Sequence, residues 1–88
     1  MNPSQLKIHQ VIDTFPSLRQ FNRSAFDYDV WQRLPKAGIS TGEKWAVLFI
    51  LEVWSRRPHQ FLVIEAIGCW DSEHRNAFSA WCNNPVWP

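Results

Sequence analysis

The chain has 88 residues, with nine Lys and Arg against eight Asp and Glu, and a net charge of +1. This length predicts one domain, and the near-neutral charge argues against a polyelectrolyte that binds nucleic acid or anionic lipid by long-range attraction. Two cysteines are too few for a disulfide framework. Six Trp and six Phe predict a core of aromatic rings, each of which removes roughly 150–250 Å² from water when buried.

A first helix is predicted over residues 4–15. Ser4 is its expected N-cap, and Pro16 is expected to end it because the residue before a proline is disfavoured in the α conformation. Its apolar residues follow the spacing i, i+3, i+4, i+7 of one helix face: Ile8, Val11, Ile12 and Phe15.

Two shorter helices are expected next. The segment SLRQF presents Leu18 and Phe21, with Pro16 in the first turn. The following helix is predicted to begin at Ser24 as N-cap, with Asp27 three residues later in a pattern resembling a capping box, and to end at Pro35. Its predicted inward face consists of Phe26, Val30, Trp31 and Leu34.

The apolar run WAVLFILEVW is predicted to lie within a helix from Thr41 to Ser55, which begins at the capping box S-x-x-E of Ser40 and Glu43. One narrow sector of the helical wheel holds Lys44, Glu52 and Ser55 together with Leu48. This outer sector is expected to face solvent, which accounts for Glu52 within the apolar run. A helix that is apolar nearly all round is buried nearly all round, and a membrane span would need about 20 apolar residues. The predicted fold is therefore all-α: a compact bundle of four to five short helices around residues 41–55.

Residues 60–67 are predicted to form a short helix that ends at Gly68. A strand is the alternative, because Phe61–Ile64 contains two β-branched residues. The chain offers no second convincing strand, and a lone strand leaves its backbone polar groups unpaired. A strand here would pair with another copy or another protein.

The last helix is predicted over residues 72–82, with Asp71 as N-cap and Asn83 as a left-handed residue at its end. Its inward face consists of His74, Ala77, Phe78 and Trp81. The apolar tail of residues 86–88 is expected to fold back onto the core; display to solvent is the alternative.

Few residues suggest catalysis or metal binding. Cys69, His74 and Cys82 have the spacing C-x₄-H-x₇-C, whereas structural zinc sites bring close ligand pairs and need four ligands; the fourth would be His59 or His9. Cys69 and His74 also form the only evident pair of nucleophile and base, but no oxyanion-hole loop or third orienting group is recognisable. We therefore predict no metal, no other cofactor and no enzyme, with both cysteines as small buried apolar residues.

An outline of a helix-turn-helix is present in residues 60–67, the turn 68–71 and the helix 72–82. The outward residues of that helix are Ser72, Glu73, Arg75, Asn76 and Ser79. Glu73 would repel phosphate, and the helix carries no basic stripe. DNA binding through helix 72–82 is accordingly the alternative function.

The favoured function is a small soluble protein-interaction module, of an adaptor, accessory or inhibitory kind, that presents an aromatic patch. Trp and Arg are enriched at interface hot spots, and Trp is rarely buried completely. The candidate contacts are Trp54, Arg57, Glu65, Trp70 and Trp87. The expected partner is another protein or a second copy in a homodimer, with no membrane involved. Because residues 1–10 do not resemble a signal peptide, the expected location is the cytoplasm.

Overall fold

The longest helix, α3, spans Thr41–Ser55 and begins at the predicted capping box. In a computed structural model, which describes residues 2–21 and 24–88, the Glu43 N–H donates to Ser40 Oγ at 3.2 Å. The Ser40 N–H donates to Glu43 Oε1 at 3.1 Å. These bonds satisfy two of the backbone donors that a helix start leaves open, so the local pattern suffices to define where α3 begins.

Helix α3 is also the centre of the fold, as predicted. Its buried residues are Trp45, Ala46, Val47, Phe49, Ile50, Leu51 and Val53. The four residues of the predicted outer sector are only half-buried, because the neighbouring elements partly cover even that side. None of the helices in the described ranges combines the length and the apolar character needed to cross a bilayer.

Shorter helices surround α3, and the all-α prediction is confirmed. They are α1 (Pro3–Asp13), α2 (Tyr28–Arg33), α4 (Val63–Cys69) and α5 (Ser72–Asn83), with 3₁₀ helices at Pro16–Phe21 and Leu34–Lys36. Residues 2–21 and 24–88 contain no strand, so the strand alternative for residues 60–67 is wrong.

Two predicted N-caps are wrong, and both helices start elsewhere. Asn2 caps α1, accepting the Gln5 N–H at 2.8 Å, since Pro3 is well suited to the first helical position. Asp27, not Ser24, caps α2 by accepting the Val30 N–H at 3.1 Å.

The carboxamide of Gln5 explains the late start of α2. Gln5 Nε2 donates to the Phe26 carbonyl at 2.9 Å, and the Phe26 N–H donates to Gln5 Oε1 at 2.8 Å. These bonds satisfy both backbone groups of Phe26 outside the helix. Phe26 is buried as predicted, but Val30 is exposed, so its assignment to the inward face is wrong. Pro35 does not stop the helical path, which continues as a 3₁₀ turn through residue 36.

The start of α4 is three residues later than predicted because Glu52 holds the preceding loop. Glu52 Oε2 accepts the N–H groups of His59 at 2.7 Å and Phe61 at 3.1 Å. Gln60, between them, has a left-handed φ of 63°. Gly68 lies within α4 rather than beyond it.

Helix α5 has the predicted cap and inward face. Asp71 Oδ1 accepts the His74 N–H at 2.9 Å, and His74 and Ala77 are buried. Asn83 is the last helical residue and is not left-handed, since Asn84 terminates the helix with a φ of −147°.

The tail folds back, as expected. Trp81 Nε1 donates to the Val86 carbonyl at 3.1 Å, and the Trp81 and Trp87 ring centroids are 5.0 Å apart in an edge-on arrangement. Trp87 nevertheless stays 43% exposed, so one part of its ring faces solvent.

Replacing Gln60 with glycine is expected to raise the free energy of unfolding by about 0.5–1 kcal/mol. A left-handed conformation costs a residue with a Cβ roughly 1–2 kcal/mol, and glycine avoids this cost. The greater flexibility of glycine in the unfolded chain offsets about 0.5–1 kcal/mol of the gain in stability. Urea denaturation followed by circular dichroism measures the change. Gln32→Gly within α2 is the control and should lower the stability by about 1 kcal/mol; destabilisation by both variants would contradict the prediction.

Candidate interaction surface

Helix α4 exposes more apolar side chain than its neighbours do. Ile64 is 82% exposed, and Leu62, Val63 and Ile67 are exposed as well, while only Ala66 of α4 is buried. Helix α4 has seven residues, and Glu65 is its one charged residue. Apolar side chains therefore face solvent whichever face of the helix packs against the core. We call Leu62, Val63, Ile64 and Ile67 the α4 surface. A contiguous exposed apolar patch of this kind usually marks an interaction site.

A groove adjoins the α4 surface and extends it. This cavity of about 490 Å³ lies between the end of α3, the start of α4, α5 and the tail. Its apolar lining includes Phe61, Val63, Phe78, Trp81 and Trp87, and we call it the aromatic groove. Val63 belongs to both features, so they form one continuous surface.

Two arginines lie at the edge of the aromatic groove. Arg56 and Arg57 both line it, and the Arg56 guanidinium lies 5.0 Å from the centroid of Trp87, a cation–π distance. The ion pairs within residues 2–21 and 24–88 are Asp13–Arg19 and Asp71–His74, so neither groove arginine is neutralised by a carboxylate there. The groove therefore combines aromatic walls with an unpaired positive charge.

The structure brings together only part of the predicted aromatic patch. Arg57 and Trp87 line the aromatic groove, and Glu65 is exposed on the helix beside it. Trp54 packs against Phe26, at 4.8 Å between centroids, away from the groove. Trp70 is 4% exposed and lies in the core.

The core position of Trp70 corrects the expectation that this ring keeps an exposed face. Its Nε1 donates to the Gly42 carbonyl at 3.0 Å, and its ring packs against Phe15 at 5.5 Å. Because its one polar atom has a partner inside the protein, the whole indole can be buried. Trp31 is also buried, with its ring centroid 5.1 Å from that of Phe26.

The apolar residues of the α4 surface were not among the predicted contacts. Their signal was the run Phe61–Ile64, interpreted only as a question of helix or strand. A short helix at the surface packs only one face against the core. A run that is apolar at every position therefore exposes the side chains of its other faces.

The predicted burial of the cysteines is wrong. Cys69 and Cys82 are both exposed, because each lies at or near the end of a helix on the side that faces solvent. Among the described residues, no three His, Cys, Asp or Glu side chains are grouped so that they could hold a metal ion.

The helix-turn-helix outline differs in its turn. Helix α4 continues through Cys69, so only Trp70 and Asp71 separate it from α5, instead of the predicted four residues. The outward residues of α5, including Glu73 and Arg75, are exposed. DNA binding through α5 stays a prediction that no contact in the structure tests.

A second group of polar side chains lies near the start of α3, at the other end of that helix. Ser17 Oγ is 2.7 Å from His74 Nε2, and His74 Nδ1 is 2.8 Å from Asp71 Oδ1. Hydrogen bonds from the His74 backbone N–H and then from its ring lower the pKa of the Asp71 carboxyl. Asp71 is therefore an ionised acceptor at neutral pH.

The hydrogen bonds also define the tautomer of His74. An ionised carboxylate only accepts, so Nδ1 carries the proton in the neutral ring. The Ser17 backbone N–H lies 3.4 Å from Nε2 and can only donate, which requires Nε2 to be the acceptor. With Nδ1 protonated, the single lone pair of Nε2 faces both Ser17 donors, of which the hydroxyl at 2.7 Å is the closer.

Comparison with known proteins gives no relative: the chain matches no protein-family model, no curated protein and no solved structure at a significant level.

Proposed function

We propose that this chain is a small protein-interaction module, of the adaptor, accessory or inhibitory kind, that binds through the α4 surface and the aromatic groove. The observation that carries the proposal is Ile64, which is 82% exposed in a helix with one buried residue. Binding at this surface works by burial of apolar area and by shape, without a chemical step. A reducing cytoplasm, the expected location, would keep the exposed Cys69 and Cys82 as thiols.

The partner we propose is a second copy of the chain. The surface carries both members of a complementary pair: an apolar helix with the acidic Glu65, and an apolar groove edged by Arg57. A two-fold axis places the same patch of each copy against the other. Each α4 would then lie along the other copy's groove, with Glu65 facing Arg57 twice.

The size of α4 requires the groove to take part. A helix of seven residues is only about 10 Å long, whereas a standard interface buries about 800 Å² on each partner. The walls of the aromatic groove and the exposed part of Trp87 supply the additional area. Among the tryptophans predicted from the sequence as contacts, Trp87 is the one best placed to act as an anchor.

The Ile64→Glu variant tests this pairing by sedimentation equilibrium over a range of concentrations. We expect the wild-type chain to reach the mass of a dimer, and the variant to pair at least tenfold more weakly. Burying an isoleucine contributes about 1.5–3 kcal/mol, and each 1.4 kcal/mol is tenfold in affinity. The matched control is Leu6→Glu on α1, where the leucine is 53% exposed but lies outside the surface; it should pair like the wild type.

Charge reversal provides the second arm. Glu65→Arg and Arg57→Glu should each weaken the dimer, and the double variant should restore it. A wild-type chain that stays monomeric at about 1 mM would disprove self-pairing. At that concentration, a chain without dimers has a binding free energy weaker than about 4 kcal/mol. Failure of the double variant to rescue would disprove the proposed register, and equal effects of Leu6→Glu and Ile64→Glu would remove α4 from the interface.

A further inference from the structure

We infer that Ser17, His74 and Asp71 form an acyl-transfer site that hydrolyses small, neutral carboxylic esters, with Ser17 as the nucleophile. This site goes beyond the proposed interaction and does not depend on it. The α4 surface and groove adjoin the end of α3 at Arg56, whereas this site adjoins its start at Gly42. At 1.5 Å per residue the two positions are about 21 Å apart.

The three side chains have the order that nucleophilic catalysis requires. A hydroxyl must contact a base within about 2.6–3.2 Å, and the base must be oriented by a third group. Ser17 Oγ and His74 Nε2 are 2.7 Å apart, and His74 Nδ1 and Asp71 Oδ1 are 2.8 Å apart. The tautomer leaves the Nε2 lone pair directed at the Ser17 hydroxyl, ready to take its proton.

His74 is held firmly in this position. It is 8% exposed, and its ring centroid lies 5.9 Å from Phe15 and 6.3 Å from Trp70. The depressed pKa of Asp71 keeps the carboxylate charged, so it can stabilise the imidazolium that forms when Ser17 loses its proton. Asp71 also lines the cavity, but its role is to orient His74, so it is a positioning residue.

A cavity opens onto the nucleophile. Its volume is about 260 Å³, slightly below the roughly 300–1,000 Å³ of most ligand pockets. Ser17, His74, Ser40, Gly42 and Glu43 all line it. The size limits the acyl group to a small one such as acetyl, and the carboxylate of Glu43 disfavours an anionic substrate.

The start of α3 lines the same cavity. Gly42 is the second residue of α3, and the first N–H groups of a helix have no partner within the helix. Such groups stabilise a developing negative charge, which the helix dipole also favours. Gly42 lines the cavity together with Ser17, so its N–H is the donor that we assign to the carbonyl oxygen of a bound ester.

The reaction takes two balanced steps. Ser17 Oγ bonds to the ester carbonyl carbon while His74 Nε2 takes the hydroxyl proton; the ester C–O bond then breaks, and His74 returns the proton to the departing alkoxide, which leaves as an alcohol. Water next attacks the acylated serine, again giving a proton to His74. The proton returns to Ser17 Oγ as the carboxylic acid is released, so an ester and water become an alcohol and an acid.

Methanesulfonyl fluoride, which sulfonylates activated serines with a group close to acetyl in size, tests the inference on the full chain. Mass spectrometry after limited exposure should locate the adduct on Ser17. Ser40 is an internal control, since it lines the same cavity but its hydroxyl accepts the Glu43 N–H. His74→Gln should slow the labelling of Ser17 by about a hundredfold or more, the usual contribution of a general base, and p-nitrophenyl acetate hydrolysis should fall in parallel.

The Asp71→Asn variant tests the positioning role. Asparagine keeps an oxygen for the helix cap but carries no charge, so α5 should remain folded by circular dichroism while the labelling slows at least tenfold. The pH profile of labelling should change as well, because the variant lacks the carboxylate that stabilises the imidazolium formed during the reaction.

Three results would overturn the inference: no adduct on Ser17, labelling of Ser17 no faster than of Ser40, or an unchanged rate in a folded His74→Gln variant. The three side chains would then serve only to tie the first 3₁₀ helix to α5. If His74→Gln does not fold, the comparison of Ser17 with Ser40 in the wild-type chain decides the question alone.

Discussion

The Phe49→Ala variant is expected to lose about 3–5 kcal/mol of unfolding free energy, the usual loss when a buried phenylalanine becomes alanine. Phe49 is buried on α3, and its ring centroid lies within 5.6 Å of four other rings: Phe15, Phe61, Phe78 and Trp81. These rings come from three further parts of the chain, so the cavity would weaken contacts of α3 with α5, with the start of α4 and with the end of α1. Domains of this size have a total stability of only about 5–15 kcal/mol, so the loss is a large share.

Chemical denaturation followed by tryptophan fluorescence and circular dichroism measures this change. The control is Leu6→Ala, which removes a similar apolar side chain from the exposed face of α1 and should change the stability by less than about 0.5 kcal/mol. A Phe49→Ala chain as stable as the Leu6→Ala chain would show that the ring cluster around α3 does not hold the fold together.

The Glu52→Ala variant is expected to lose about 2–3 kcal/mol. One carboxylate oxygen accepts the N–H groups of both His59 and Phe61, and hydrogen bonds to a charged group contribute about 1.5–3 kcal/mol. Alanine leaves both donors without that acceptor and frees a loop that contains the left-handed Gln60. Because this loop positions Phe61 and the start of α4, the aromatic groove should loosen as well.

Glu52→Gln separates the acceptor from the charge. Its amide oxygen can still accept both N–H groups, so we expect a loss of about 1 kcal/mol and amide hydrogen exchange at residues 59 and 61 close to that of the wild type. Glu52→Ala should expose the same amides to fast exchange. Equal exchange in the two variants would contradict the role assigned to the carboxylate.

The sequence alone predicts a different environment for Glu52. Its helical sector, shared with Lys44, indicated solvent exposure. The sector was identified correctly, but residues 58–61 return across it and use the carboxylate as a backbone acceptor. A helical wheel describes the faces of one helix and carries no information about a loop that follows it.

The members of the Ser17, His74 and Asp71 cluster could be predicted from the sequence to different degrees. His74 and Asp71 were identified as an inward histidine and a helix cap, one helical turn apart. Ser17, the third member of the cluster, is 57 positions away from His74 along the chain, so no spacing pattern joins it to them. The group that orients His74 is Asp71, three positions away, but the sequence indicates Asp71 only as a helix cap.

Local chemistry was enough to determine the helical class and the burial of most of α3. It also determined the start of α3 at its capping box and the start of α5 at Asp71. These features depend on periodicity and on hydrogen bonds between residues three or four apart. Only the tertiary structure decided where α2 and α4 begin, that Trp70 is buried while Ile64 is exposed, and that Ser17 meets His74. Each of these depends on a partner distant in sequence: Gln5 for Phe26, Glu52 for Phe61, the Gly42 carbonyl for the Trp70 indole. The position of such partners follows from how the helices pack around α3, which no local pattern specifies.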